Sequence, residues 1–121
     1  MSRLYYVTEA QVLAYEAVYG VFAELFKELK DLGKKKPEAT LSGAKVKLIN
    51  RVLDDVRTAL KDAPDAKYLD SIDDQALPQF GDAILILSQY EGALKSFKER
   101  HYGYRASHGT GWVIRPEEKT L

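Results

Sequence analysis

Between Lys95 and Arg115 the sequence interleaves cations with flat rings: Lys95, Lys98, Arg100, His101, Tyr102, Tyr104, Arg105, His108, Trp112 and Arg115. Guanidinium and ammonium groups neutralise phosphate, and aromatic faces stack on bases. Gly109 and Gly111 leave backbone N–H groups open to close approach by an anion. The pattern suits an anionic, nucleotide-like ligand or, with less support, a single-stranded nucleic acid. Arg100, Tyr104, Arg105, His108, Trp112 and Arg115 are the candidate ligand- or partner-binding residues. The same residues have a plainer use. Trp112 and the tyrosines would pack the tail onto the rest of the chain, with the basic groups solvated and complementing a helix dipole. The segment matches no recognised nucleic-acid motif, so the plainer use carries more weight.

Other clusters point to chemistry less well. Gly33-Lys34-Lys35-Lys36-Pro37 lacks the glycine spacing and the preceding strand of a phosphate-binding loop, and reads as a solvated helix end. Asp54, Asp55, Asp70, Asp73 and Asp74 are the types that do acid–base work or hold divalent cations. They lack the glycine and glutamate of a calcium loop, so capping and solubility account for them. His101 and His108 are the two histidines, seven apart across a helix end. Ser107 adjoins His108, but a triad requires convergence in space, and no Gly-x-Ser-x-Gly elbow occurs. The chain has no cysteine, which excludes thiolate nucleophiles, Cys-ligated zinc and disulfides. No catalytic residue, metal site or cofactor is expected, and an enzyme is disfavoured.

The elements that must position these residues follow from periodicity and punctuation. Leu4-Tyr5-Tyr6-Val7 reads as a short strand, and Thr8 with Gln11 has capping-box spacing. A first helix is expected over 9–32, with Tyr15, Val18, Phe22, Leu25, Leu29 and Leu32 on one face and Gly33 ending it. A second starts near Ser42 and stops before Pro64, burying Val46, Ile49, Leu53, Val56 and Leu60. A third runs over 83–102, burying Leu87, Tyr90, Leu94 and Phe97, with Gly103 ending it. The acidic connection 64–82 is long enough to carry a short helical piece, anchored by Tyr68, Leu69, Ile72 and Leu77, with Asp65 and Asp82 as N-caps. Trp112-Val113-Ile114-Arg115 is strand-like. It and residues 4–7 are the two β-like segments, so pairing them, within or between subunits, satisfies both.

The 121 residues make one domain: a helical bundle over 1–102 and a basic, aromatic tail over 103–121. The expected fold class is mainly α, a three-helix antiparallel bundle with a short extra helical piece. A minor two-stranded β element from the N- and C-terminal segments completes it. Eighteen basic residues balance eighteen acidic ones, which argues against a DNA-coating protein and mildly favours self-association. The start of the chain lacks the apolar run of a signal peptide. The longest apolar run, Ala83 to Leu87, falls far short of the roughly 20 residues of a membrane span. A cytoplasmic location without a membrane partner is expected. Tyrosines 5, 6, 15 and 19 and Phe26 exceed what a three-helix core can centre, and such residues favour interfaces. The expected function is a non-enzymatic binding protein that self-associates and acts on a protein partner. The alternative is capture of an anionic nucleotide-like ligand by the tail.

Overall fold

A computed structural model of the chain describes residues 4–116. Three α-helices pack together: α1 (Glu9–Lys35), α2 (Gly43–Ala59) and α3 (Phe80–His101). A 3-10 turn, Pro64–Tyr68, follows α2, and a hairpin of β1 (Tyr102–Arg105) and β2 (Gly109–Trp112) follows α3. Helix α1 lies against both other helices.

The start of α1 is fixed by its cap. Thr8 Oγ1 accepts the Gln11 N–H at 3.1 Å, and Gln11 Oε1 accepts the Thr8 N–H at 2.9 Å, so two orphan donors are satisfied together. Val12, Tyr15, Val18, Phe22, Phe26 and Leu29 form its buried face. Leu32, expected on that face, is exposed. The helix also runs past Gly33 to Lys35, and Pro37 stands just beyond its C-cap Lys36. Gly33 is therefore not a terminator. It is buried where α3 comes close, and a Cβ there would lie 2.6 Å from Ile84 Cδ1. Close packing, not a left-handed cap, explains the glycine.

Helix α2 starts as expected, with Ser42 Oγ accepting the Lys45 N–H at 3.2 Å, and buries Val46, Ile49, Val52, Leu53 and Val56. The acidic connection forms the 3-10 turn but is held mainly by side chains from the helices. Asn50 clips it twice, donating from Nδ2 to the Ile72 carbonyl at 2.8 Å and accepting the Ile72 N–H at 2.9 Å. The Tyr90 hydroxyl donates to the Asp70 carbonyl at 2.6 Å and accepts from Arg57 Nη1 at 2.8 Å. Leu69 and Ile72 are buried anchors, whereas Tyr68 and Leu77 stay exposed. Neither Asp65 nor Asp82 caps: Ala63 and Gln79 hold those positions. Helix α3 starts three residues early because the flanking loops pair. The Leu41 N–H donates to the Pro78 carbonyl at 2.9 Å and the Phe80 N–H to the Ala39 carbonyl at 3.0 Å.

The β element differs from expectation. The two-stranded sheet is a C-terminal antiparallel hairpin, pairing Tyr102 with Trp112, Gly103 with Gly111, Tyr104 with Thr110 and Arg105 with Gly109. Of the two segments expected to pair, only Trp112 belongs to it; residues 4–7 and 113–115 lie outside. They meet at one parallel bridge within the chain, Val7 with Ile114, made by Val7 N–H to Val113 O at 2.9 Å and Arg115 N–H to Val7 O at 2.8 Å. The hairpin forms because its turn is local and well encoded. The His108 N–H closes on the Arg105 carbonyl at 3.0 Å, and Gly109 takes φ +70°, the left-handed position that ends a three-residue hairpin loop.

Candidate functional site

Side chains alternate across the hairpin, so its two faces differ in chemistry. Tyr102, Tyr104, Thr110 and Trp112 share one face; Gly103, Arg105, Gly109 and Gly111 share the other. Trp112 packs inward on the first face. Its ring centroid lies 5.2 Å from Tyr15, 5.3 Å from Tyr102 and 6.0 Å from Phe97, which joins the tail to α1 and α3. Tyr104, two residues from Tyr102, reaches past the helices and is 71% exposed.

The second face is nearly bare. Leu4 covers Gly103, where a Cβ would lie 3.1 Å from Leu4 Cδ1. Nothing stands within 4 Å of the Cβ positions of Gly109 and Gly111. Beside them is a cleft of about 180 Å³ bordered by Tyr6, Arg105, His108 and Trp112. The Arg105 guanidinium lies over the Tyr6 ring at 5.5 Å. His108 Nδ1 is 2.6 Å from Ser107 Oγ. No carboxylate lines the cleft among the described residues.

Arg100 and Arg115 face a different space. The Tyr5 N–H donates to the Arg100 carbonyl and the Arg115 N–H to that of Val7, both at 2.8 Å, and these bonds bring the two arginines to one cavity of about 600 Å³. Acids already stand there. Arg100 Nη2 pairs with Asp65 Oδ1 at 3.0 Å, both side chains about three-quarters buried, and Asp62 Oδ2 accepts from Gln11 Nε2 at 3.2 Å. The six candidate residues therefore do not converge. Arg105, His108 and Trp112 border the hairpin cleft, Arg100 and Arg115 the second cavity, and Tyr104 neither. Tyr6 borders both cavities and was not among the candidates; its only sequence signal is an aromatic residue in an isolated β-like tetrapeptide.

Two grooves run between helices. The α1–α3 groove, about 540 Å³, has Tyr15, Tyr19 and Tyr102 among its walls, and its rim charges, Lys95 and Lys98 against Glu91 and Glu99, cancel. Lys98 Nζ sits 4.9 Å from the Tyr102 ring centre. Burial pushes the Tyr15 hydroxyl up to about 12, with Tyr19 and Glu16 adding to it. Burial also raises Tyr90, against the opposing pull of Arg57. The α1–α2 groove, about 280 Å³, is lined by Ala14, Ala17, Val18, Val21, Val52 and Ala59 with Asp55 and Thr58 at its polar side.

Three of the five aspartates singled out above are engaged locally: Asp54 pairs with Arg57, and Gln75 donates to Asp73 and Asp74. Among the described residues no three His, Asp or Glu side chains converge as a metal site, and no helix is long and apolar enough to cross a membrane. Comparison with protein-family models, with curated proteins and with solved structures returned no significant match.

Proposed function

We propose that this chain is a non-enzymatic binding protein that self-associates through its α1–α2 face and uses its remaining surface, the C-terminal hairpin included, to engage a macromolecular partner. The observation that carries this reading is the apolar α1–α2 groove with its exposed rim. Leu13 is 60% exposed, Val21 56% and Leu48 54%, all on the two helices that form the groove. Contiguous apolar surface left in water on neighbouring elements is what an interface covers.

The arrangement of apolar and charged residues suits a second copy as the occupant. Ala10, Ala17, Val21, Glu24 and Glu28 follow one another along α1 at helical steps, and Ala44, Leu48, Arg51, Asp55 and Thr58 do so along α2. Each line joins an apolar part to a charged part, with Glu24 and Glu28 on α1 and both Arg51 and Asp55 on α2. A two-fold pairing sets the acids of one copy toward Arg51 of the other. Small side chains in the groove let helices approach, and a net charge of zero leaves no long-range repulsion between copies. The lack of cysteine suits a reducing setting such as the cytosol.

Sedimentation or light scattering tests the reading directly. The unaltered chain is expected to associate, and Val21→Glu with Leu48→Glu to give a monomer of unchanged helicity. A monomer at high concentration of the unaltered chain would end the self-association reading.

A further inference from the structure

We propose that the cleft on the glycine face of the hairpin binds a phosphate group, with Arg105 as its main ligand and His108 as a second hydrogen-bonding group. The proposal stands apart from self-association and rests on a different surface.

Gly111 supplies the first reason. Glycine inside a strand weakens it, and it persists where the backbone needs a positive φ or where something approaches closely. Gly111 has no positive φ, which among the described residues belongs to Gly109 alone. Nor does the surrounding chain exclude a side chain: a Cβ on Gly111 would meet nothing within 4 Å. The fold thus leaves open a space that it does not itself use. Gly109 beside it is equally open, so two backbone units border the cleft without shielding side chains.

Charge decides the sign of the ligand. Among the cavities with cationic walls, the arginine cavity is lined by Asp62 and its Arg100 is paired with Asp65, while the α1–α3 groove carries Glu91 and Glu99. In the hairpin cleft Arg105 makes no ion pair among the described residues. Its guanidinium lies over the Tyr6 ring, and its N–H donors, which point outward in the plane of the group, have no acid to satisfy them there. Arginine presents those donors in a fork that matches two phosphate oxygens.

Size narrows the class. About 180 Å³ is several times the roughly 30 Å³ share of one water, yet below the roughly 300 Å³ at which drug-sized pockets begin. The cleft therefore takes a phosphate group, either free or as the terminal group of a larger molecule whose remainder stays outside.

Isothermal titration calorimetry reads occupancy directly, since the Trp112 indole packs on the other face of the hairpin. The full chain is titrated with inorganic phosphate and with adenosine monophosphate at low ionic strength. A saturable change is expected with both; equal affinities identify the free ion as sufficient, and tighter nucleotide binding identifies a phosphomonoester. Arg105→Gln should weaken binding about tenfold or more. Gly111→Ala should do the same without lowering the melting temperature, because its methyl fills only the cleft. Gly92→Ala, on α3 with open space around it, should leave affinity unchanged. The monomeric Val21→Glu, Leu48→Glu protein should bind phosphate as well as the parent, which separates this test from that of self-association. No saturable response at millimolar phosphate, or undiminished binding by Gly111→Ala, would overturn the proposal.

Discussion

The Trp112 indole meets the Tyr15 ring edge-on, at 5.2 Å between centroids and 68° between planes. Ninety-odd residues of chain separate the two, and the contact makes the tail part of the helical core. Phe97 and Tyr102 complete the aromatic cluster around the indole. Trp112→Ala removes contacts with all three rings and should cost about 3 kcal/mol in urea unfolding. Tyr104→Ala, on the same hairpin face but solvated, should stay within about 0.5 kcal/mol. Equal effects of the two would mean that the tail is not docked as described.

How much of this was legible in the sequence depends on the range of the interactions concerned. The Thr8 cap, the Ser42 start and the buried faces Val46 to Leu60 and Leu87 to Phe97 are written within a turn or two, and the structure reproduces them. Gly33 looks like a terminator in sequence because the residue it accommodates, Ile84, lies on another helix. The early start of α3 depends on Ala39 and Pro78, which no local pattern marks. At the C-terminus Trp112-Val113-Ile114-Arg115 is the more β-like segment, yet the hairpin uses Tyr102–Arg105, which sequence reasoning divided between a helix end and a loop. The turn chemistry at Gly109 outweighs residue propensity there. For the candidate site, the residue types were readable but not their grouping. Arg100 and Arg105 are five apart in sequence, and the change from helix to strand at Tyr102 sends them to different cavities.

The helix glycines separate two effects of adding a methyl group. Gly20→Ala and Gly92→Ala lie in helices with open space around them, and each should raise stability by about 1 kcal/mol. Gly33→Ala makes the same helical gain but forces the tip of Ile84 aside, so it should gain less or lose. Ile84→Val removes Cδ1, and in its background the Gly33→Ala effect should move toward that of Gly20→Ala. Thermal unfolding of the four variants, with Ile84→Val as reference, measures the coupling.

Asn50 and Tyr90 hydrogen-bond the Asp70–Ile72 stretch of the acidic connection to the helices. Asn50→Ala leaves the Ile72 N–H and carbonyl without their partners, both in partly buried surroundings, and should cost about 2 kcal/mol. Tyr90→Phe removes a hydroxyl that joins Arg57 to the Asp70 carbonyl and should cost a similar amount. Both variants should speed proteolytic cleavage between Asp70 and Leu77 before α2 or α3 is cut. Cleavage that starts instead in α2 would show that the connection is held by other contacts.

Alkaline pH should weaken the fold through Tyr15. Its folded pKa of about 12 lies above the ordinary 10.0, so the native state holds the phenol proton more tightly than the unfolded chain does. Below pH 10 both states are protonated and stability is fully present. As pH rises from about 10 toward 12 the unfolded chain releases its proton first, and stability falls. A shift of this size corresponds to at most about 2–3 kcal/mol by linkage, reduced by solvent screening because the ring borders the open α1–α3 groove. Tyr90, raised in the same direction by burial, adds to the fall. Other groups also titrate in this range, so the comparison that isolates Tyr15 is with Tyr15→Phe, which should keep more of its melting temperature between about pH 10 and pH 12. Parallel curves for the two proteins would mean that ionised Tyr15 is as well solvated in the folded chain as in the unfolded one.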